Sequence, residues 1–346
     1  MSRARGEPAE TPDIPHPRET HGLFGHRDAE RDLLNAYRSG RMPHAWLIGG
    51  AAGIGKATLA YRMARFVLAH PDPAAEAVQS AQTLAVAPEH PAARLITAQA
   101  HSDLLALERT VGDNGKLRTE IAVGDVRRTV SFFGSTAGAG GWRVCIVDSV
   151  DELNRFGTNA LLKILEEPPA RSLLLLISHV PGQVIATIRS RCRQLQLRPL
   201  AADDVVSAAA ATLGLTDDDG DLRRAAALAE GSVARTLALF DGPTLAVHDS
   251  VLALLEQLPN LDRRAMHAIG DNLGRAQAGA FETFLATVRQ WLSTRLAYEK
   301  DSAHLARVAA AWDKFNQAAA DVTVFNLERK PLVFSTFELL ATIARR

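Results

Sequence analysis

The chain has 346 residues, enough for two or three domains, and its 39 Lys plus Arg balance 39 Asp plus Glu. A formal charge of zero excludes a global basic field that would draw the whole chain to nucleic acid or to an acidic membrane, while leaving room for a local basic patch. Two distant cysteines, Cys145 and Cys192, argue against a disulfide framework or a zinc site, and no apolar run approaches the length of a membrane span.

Residues 1–21 are rich in Pro, Glu and Arg and lack the apolar core of a secretory signal, so they read as a disordered tail. The next region, 22–199, alternates strand and helix patterns, which predicts an α/β domain with a mostly parallel sheet. His44 to Ile48 reads as a buried strand entering Gly50-Ala51-Ala52-Gly53-Ile54-Gly55-Lys56. After the lysine, Leu59, Met63, Phe66 and Val67 recur at helical spacing. Strand, glycine turn and helix in that order form a phosphate loop, in which helix-start amides and a lysine cradle the phosphates of a nucleotide such as ATP. A glycine-rich turn without a ligand is the bland alternative.

A working phosphate loop also carries a Ser or Thr directly after the lysine, where its hydroxyl ligates Mg²⁺. Here that position is Ala57, and Thr58 comes one residue late, a rotation of about 100° on a helix. Between His70 and Pro91 the chain is Ala- and Pro-rich with little periodicity and reads as a surface insertion. Gly134 to Gly141 reads as a second loop. Val144 to Val147 forms the next strand, ending at Asp148, the expected place for a metal-binding aspartate; Ser149 stands where hydrolysing members of this class carry a glutamate. Asp151 and Glu152 follow, readable as capping or solvated residues or, for Glu152, as a substitute water-activating base.

Asn159 to Glu167 predicts an amphipathic helix ended by Pro168-Pro169. Leu173 to Ile177 then reads as a buried strand, Ile185 to Ile188 as a short helix, Ser190-Arg191-Cys192 as a turn, and Leu195 to Leu197 as a strand. Residues 200–242 predict a small helical domain, with Asp203 and Asp204 at a helix start and Gly231-Ser232 at a turn. Residues 243–346 predict an all-helical domain, with apolar stripes at Phe281, Phe284, Leu285, Val288, Trp291 and Leu292 and at Phe334, Phe337, Leu340 and Ala341 that suit a core. No helix-turn-helix or aromatic-basic signature marks a sequence-specific DNA binder.

Asn159-Ala160-Leu161-Leu162-Lys163 with Leu165-Glu166-Glu167-Pro168-Pro169, and the Ser190-Arg191-Cys192 triplet, resemble shared signatures of the AAA+ subunits of bacterial DNA polymerase III clamp loaders. The similarity runs from Leu23 over nearly the whole chain, including Pro43-His44-Ala45 and the segment Asn326 to Leu332, and is strongest in the first domain. The resemblance implies an AAA+ P-loop domain at 22–199, a helical lid at 200–242 and a helical collar for oligomerisation at 243–346. It implies a cytoplasmic, hetero-oligomeric ring with motor subunits and a delta subunit, a sliding clamp, and primer-template DNA contacted through the assembly, as part of a nucleotidyltransferase complex. Arg191 would act in trans as an arginine finger. Gly50, Gly53, Ile54, Gly55, Lys56, Ala57 and Thr58, with Asp148, would face a nucleotide; Ser178 occupies the first-sensor position, beside His179. Arg235 reads equally as a second sensor for a γ-phosphate or as a surface helix arginine. ATP binding without turnover, Mg²⁺ held weakly or not at all, is the expectation from Ala57 and Ser149. The opposing reading is an active AAA+ ATPase using Lys56 and Asp148. The four-cysteine zinc module of many relatives has no counterpart here, and the segment near Pro71 to Glu89 stands in its place.

Overall fold

The computed structural model describes residues 15–112, 117–134, 141–240, 242–275, 278–325 and 327–344. The chain begins with α1 (Arg27–Arg38), β1 (Ala45–Gly49), α2 (Lys56–Ala69), α3 (Glu76–Gln79), α4 (Pro91–Thr97), β2 (Leu104–Glu108) and α5 (Val123–Gly134). There follow β3 (Arg143–Asp148), a single 3-10 turn (Val150–Glu152), α6 (Arg155–Glu166), β4 (Ser172–Ser178), α7 (Ala186–Arg189) and β5 (Arg193–Gln196). The remainder is helical: α8 (Ala202–Leu213), α9 (Gly220–Leu228), α10 (Val233–Phe240), α11 (Gly242–Glu256), α12 (Arg263–Arg275), α13 (Ala278–Tyr298), α14 (Ser302–Val324) and α15 (Arg329–Ala344).

The five strands pair in parallel in the order β2-β3-β4-β1-β5. Such a sheet needs both faces covered, and alternation along each strand meets that need. Trp46, Ile48, Val144, Ile146, Leu173, Leu175 and Ile177 pack on one side with Leu33 of α1 and Leu59, Met63 and Phe66 of α2. Ala45, Leu47, Cys145, Val147, Leu174 and Leu176 pack on the other with Val126 of α5 and Leu161 and Leu165 of α6. β4 lies in the middle and is buried at every position. Cys145 and Cys192 are buried in this second core, which pushes each thiol up to about 12.

Register then aligns the strand ends. Gly49 pairs with Ser178 and with Gln196, and Asp148 pairs with Ile177 and with Glu108. The turns after β1, β3 and β4 therefore leave from one edge of the sheet, the usual ligand edge of an open parallel sheet. Helix α6 starts near that edge with Asn154 as its cap, the side-chain oxygen accepting from the amides of Phe156 (3.1 Å) and Gly157 (3.0 Å). It runs back across the sheet and ends at the Pro168-Pro169 pair.

Two expectations are corrected. Residues 1–14 of the assigned tail lie outside the described residues, but 15–21 are held against the α/β core rather than disordered. The buried Arg65 guanidinium needs acceptors and takes the carbonyls of Pro17 (3.3 Å), Arg18 (3.1 Å) and Thr20 (2.7 Å), while Arg62 takes that of His21 (2.7 Å). The segment 70–91 is likewise more than a surface insertion, since Val78 and Leu84 are fully buried in the α1–α2 core. Glu30 fixes it by accepting from the Leu84 amide at 2.9 Å and from Arg62 Nε at 2.6 Å. Part of the loop expected at Gly134 to Gly141 lies outside the described residues.

Contacts between Cα atoms divide the chain into two compact units, 1–235 and 236–346. Helices α8 and α9 belong to the first. In the second, the expected stripe of α13 is buried at Phe281, Phe284, Leu285, Val288 and Leu292, with the Phe284 ring centroid 6.4 Å from Phe315 and 6.5 Å from Phe337. Trp291 is only partly buried, and the Arg295 guanidinium lies 4.1 Å from its ring. No single helix among the described residues is long and apolar enough to cross a membrane.

Candidate functional site

The turn after β1 has the backbone that a phosphate cradle requires. Gly50, Gly53 and Gly55 take φ of 148°, 74° and 94°, and Gly55 is the residue from which α2 starts at Lys56. His26, in the left-handed region at the start of α1, donates from Nε2 to the Ile54 carbonyl at 2.7 Å and supports the loop from the side. Lys56 is 3 % exposed, and its ammonium donates to the carbonyls of Gly50 (2.7 Å) and Ala51 (2.5 Å). Burial lowers its pKa to about 8, opposed by the charges of Asp148 and Asp151. Ala57 packs on the α1–α2 core and offers no side-chain oxygen, and Thr58 is half-buried one position further along α2.

Asp148, at the end of β3, is pushed up to about 6 by burial and then by the Glu152 charge, with Lys56 pulling the other way. Ser149 is 1 % exposed and its hydroxyl finds no partner among the described residues. Glu152 is ion-paired with Arg109 at 2.9 Å, so the carboxylate considered as a water-activating base already serves a cation. Asp151 is neither a helix cap nor merely solvated: Ser178 Oγ donates to it at 2.7 Å, and the His179 amide donates to its other oxygen. Ser178, fully buried, thus spends its hydroxyl on a carboxylate that spans the ends of β3 and β4.

Opposite the loop lies the start of α10. Ser232 Oγ donates to the Ala52 carbonyl at 3.0 Å and the Ala234 amide to that of Gly53 at 3.3 Å. The approach is so close that a β-carbon on Gly53 would stand 2.3 Å from Ser232 Oγ and 2.7 Å from the Ala234 β-carbon. Gly231, with φ of 80°, is equally tight, its missing β-carbon falling 2.6 Å from Pro199 and 2.7 Å from the backbone of Leu200. Arg235 follows on the same helix and pairs with Glu230 at 3.2 Å.

Gly50, Gly53, Ile54, Gly55, Lys56, Ala57, Thr58, Asp148 and Ser178 are therefore gathered at the C-terminal edge of the sheet, while Arg235, next to the Ser232 and Ala234 contacts with the loop, is paired with Glu230. Arg191 is not among them. It precedes β5, whose start, Arg193, is level with Trp46 and whose end, Gln196, is level with Gly49. Parallel pairing thus sets Arg191 at the N-terminal edge, beyond a strand of four residues, or about 13 Å, from the phosphate loop. There Nη2 forms an ion pair with Glu166 Oε1 at 2.9 Å and Nη1 donates to the Thr187 carbonyl at 3.0 Å, with about a third of the side chain exposed.

The contacts of His26, Asp151, Ser232 and Glu166 escaped sequence reasoning. Of these, Glu166 carried a signal, its place in the Leu165-Glu166-Glu167-Pro168-Pro169 run that carries the family resemblance. Among the described residues no three His, Cys, Asp or Glu side chains gather as a metal-holding group.

Residues 25–201 match the family described as DNA polymerase III, delta subunit. Among curated relatives, DNA polymerase III subunit delta' of Escherichia coli is 30% identical over 257 residues, 74% of this chain and 71% of the relative. Its Pseudomonas aeruginosa namesake is 38% identical over 151 residues, covering 44% of this chain but only 42% of the relative. DNA polymerase III subunit tau of Bacillus subtilis is 28% identical over 68% of this chain and 40% of its own length. A solved gamma subunit-related protein of Thermotoga maritima superposes over 90% of this chain and 99% of its own with a TM-score of 0.42 and 14% identity. A match through more than half of the chain, joined to a relative covered over two thirds of its length, is family membership, and the chain belongs to the bacterial DNA polymerase III clamp-loader subunits.

Proposed function

We propose that this chain is a delta-prime-type subunit of a DNA polymerase III clamp loader, that it helps ATP-driven loading of a sliding clamp in DNA replication, and that it does not itself hydrolyse ATP. Arg191 acts instead on ATP held by a neighbouring motor subunit. The observation that carries this reading is the separation of Arg191 from the phosphate loop of its own chain, across the length of β5. An arginine at the far edge of the sheet meets a γ-phosphate only if another subunit presents one.

The phosphate loop supports the same division of labour. The amides of residues 53–58 and Lys56 fit phosphates, but Ala57 offers Mg²⁺ no hydroxyl and buried Ser149 offers water no base. Bound there, ATP would supply a reporter of assembly rather than a reaction. In a motor subunit, water attacks the γ-phosphorus, the bond to the bridging oxygen breaks, and ADP leaves with that electron pair. A guanidinium beside the transferring group neutralises the developing charge, a contribution of about 10³ to 10⁵ in rate. Lysine lacks the planar fork that spans two phosphoryl oxygens. The lid over 200–242 and the collar over 243–346 set the ring position of the chain, with motor subunits and a delta subunit as neighbours in the cytoplasm and primer-template DNA met through the assembly. Polymerase activity belongs to the complex.

A second reading, an active motor using Lys56 and Asp148, draws support from the electrostatic coupling of those two buried groups. Clamp- and DNA-stimulated ATP turnover by the reconstituted loader separates them. Arg191→Ala is expected to lower turnover by about 10³ while Lys56→Ala leaves it intact. Loss confined to Lys56→Ala would make this chain the motor.

A further inference from the structure

Arg191 is held by two contacts that differ in kind. The Thr187 carbonyl belongs to α7, one turn back along the same segment, and so moves with the arginine. Glu166 belongs to the last turn of α6, a separate element that runs the length of the sheet from the Asp148 edge. Among the described residues it is the contact that ties the guanidinium to another element of the fold. Among the described residues the guanidinium donates one hydrogen bond, to Thr187, and is ion-paired with Glu166, which leaves N–H donors for an anion. With half of the Glu166 side chain and a third of the Arg191 side chain exposed, water screens the pair, so its contribution to folding stability is small. A weak, directional and exchangeable contact of this type suits orientation better than stability.

We propose that Glu166 is a positioning residue for Arg191. Ion-paired with Nη2 while Thr187 accepts from Nη1, it restricts the guanidinium before a neighbouring subunit arrives and leaves other N–H donors for the phosphoryl group. No bond to substrate is made by Glu166 itself. The carboxylate acts through geometry, lowering the entropy lost when the fork engages the transition state. This inference rests on the proposed action of Arg191 in trans.

The test uses the whole reconstituted loader and compares Glu166→Asp with Glu166→Gln. Aspartate keeps the charge but is one methylene shorter and withdraws from Nη2. Glutamine loses the charge but presents an amide oxygen at the original reach. Glu166→Asp is expected to lower kcat for clamp- and DNA-stimulated ATP turnover by about fivefold, the size of one weak exposed contact, with KM for ATP unchanged. Glu166→Gln is expected to stay within about twofold of wild type. Glu167→Ala, which removes a neighbouring exposed carboxylate, serves as a control for the local field and should behave as wild type. Co-elution of each variant with its partners establishes assembly. If Glu166→Gln loses activity and Glu166→Asp keeps it, charge rather than contact matters and the positioning role is overturned. Unchanged or raised turnover in both, with Arg191→Ala still inactive, overturns it as well. Wild-type turnover in Arg191→Ala overturns the action in trans instead.

Discussion

The two edges of the sheet hold Lys56 and Arg191 in opposite ways. At the C-terminal edge Lys56 is buried, its ammonium bonded to loop carbonyls, and the loop is pressed against Ser232 and Ala234 with no room for one methyl group. At the N-terminal edge Arg191 stands partly in solvent, held by one screened ion pair and one carbonyl. The ammonium of Lys56 is spent on carbonyls of its own loop, whereas the guanidinium of Arg191 keeps N–H donors beyond the one given to Thr187 among the described residues. The contrast also separates two uses of glycine. Gly53 permits its turn through a positive φ and at the same time admits the α10 helix start, so packing alone can account for its presence.

The largest effect on stability should come from testing that packing. Gly53→Ala combines a strained φ of 74° with a clash at 2.3 Å and is expected to cost about 2–4 kcal/mol in chemical denaturation. Adding Ser232→Gly should relieve the clash with Oγ and leave both the strain and the 2.7 Å approach to the Ala234 β-carbon. An alanine variant as stable as wild type would mean that α10 does not dock on the loop in solution.

Lys56→Met probes burial of the charge. Below about pH 8 the ammonium is charged in both folded and unfolded chains and its desolvation opposes folding. Methionine removes that opposition but orphans two carbonyls, for a net gain of about 1 kcal/mol at pH 7. Between about pH 8 and the unbound value of 10.5 the folded lysine is neutral while the unfolded one is still charged, so wild-type stability rises and the advantage of methionine shrinks. Denaturation midpoints measured at pH 7 and pH 10 check the sign, and a gap that widens with pH would refute it.

The smallest change, Ser232→Ala, deletes one hydrogen bond to the Ala52 carbonyl and the acceptor for the Arg235 amide, at about 1 kcal/mol. Hydrogen exchange at the loop should then quicken while that of β4 stays as it was.

Much of this molecule could be read from the chain, because the signals are local and periodic. Alternating and continuous apolar runs mark β1, β3 and β4, the prolines after Glu167 stop α6, and the stripes on α13 and α15 form the core of the second unit. The glycine spacing and Lys56 identify a phosphate loop for the same reason: one short segment contains the whole motif. β2 went unassigned because Leu104 to Leu107 is a short continuous apolar run with no alternation, which periodicity does not separate from a piece of buried helix. Residues 15–21 read as a tail because their stability comes from Arg65, more than forty positions away. The engagement of Asp151 by Ser178, of Ala52 by Ser232 and of Arg191 by Glu166 likewise joins residues 27, 180 and 25 positions apart in the chain. Sequence alone determined which chemical groups this protein owns and the elements that bear them; parallel register and the return of α6 across the sheet decided that Lys56 and Arg191 face opposite edges, since pairing between distant segments has no local pattern to announce it.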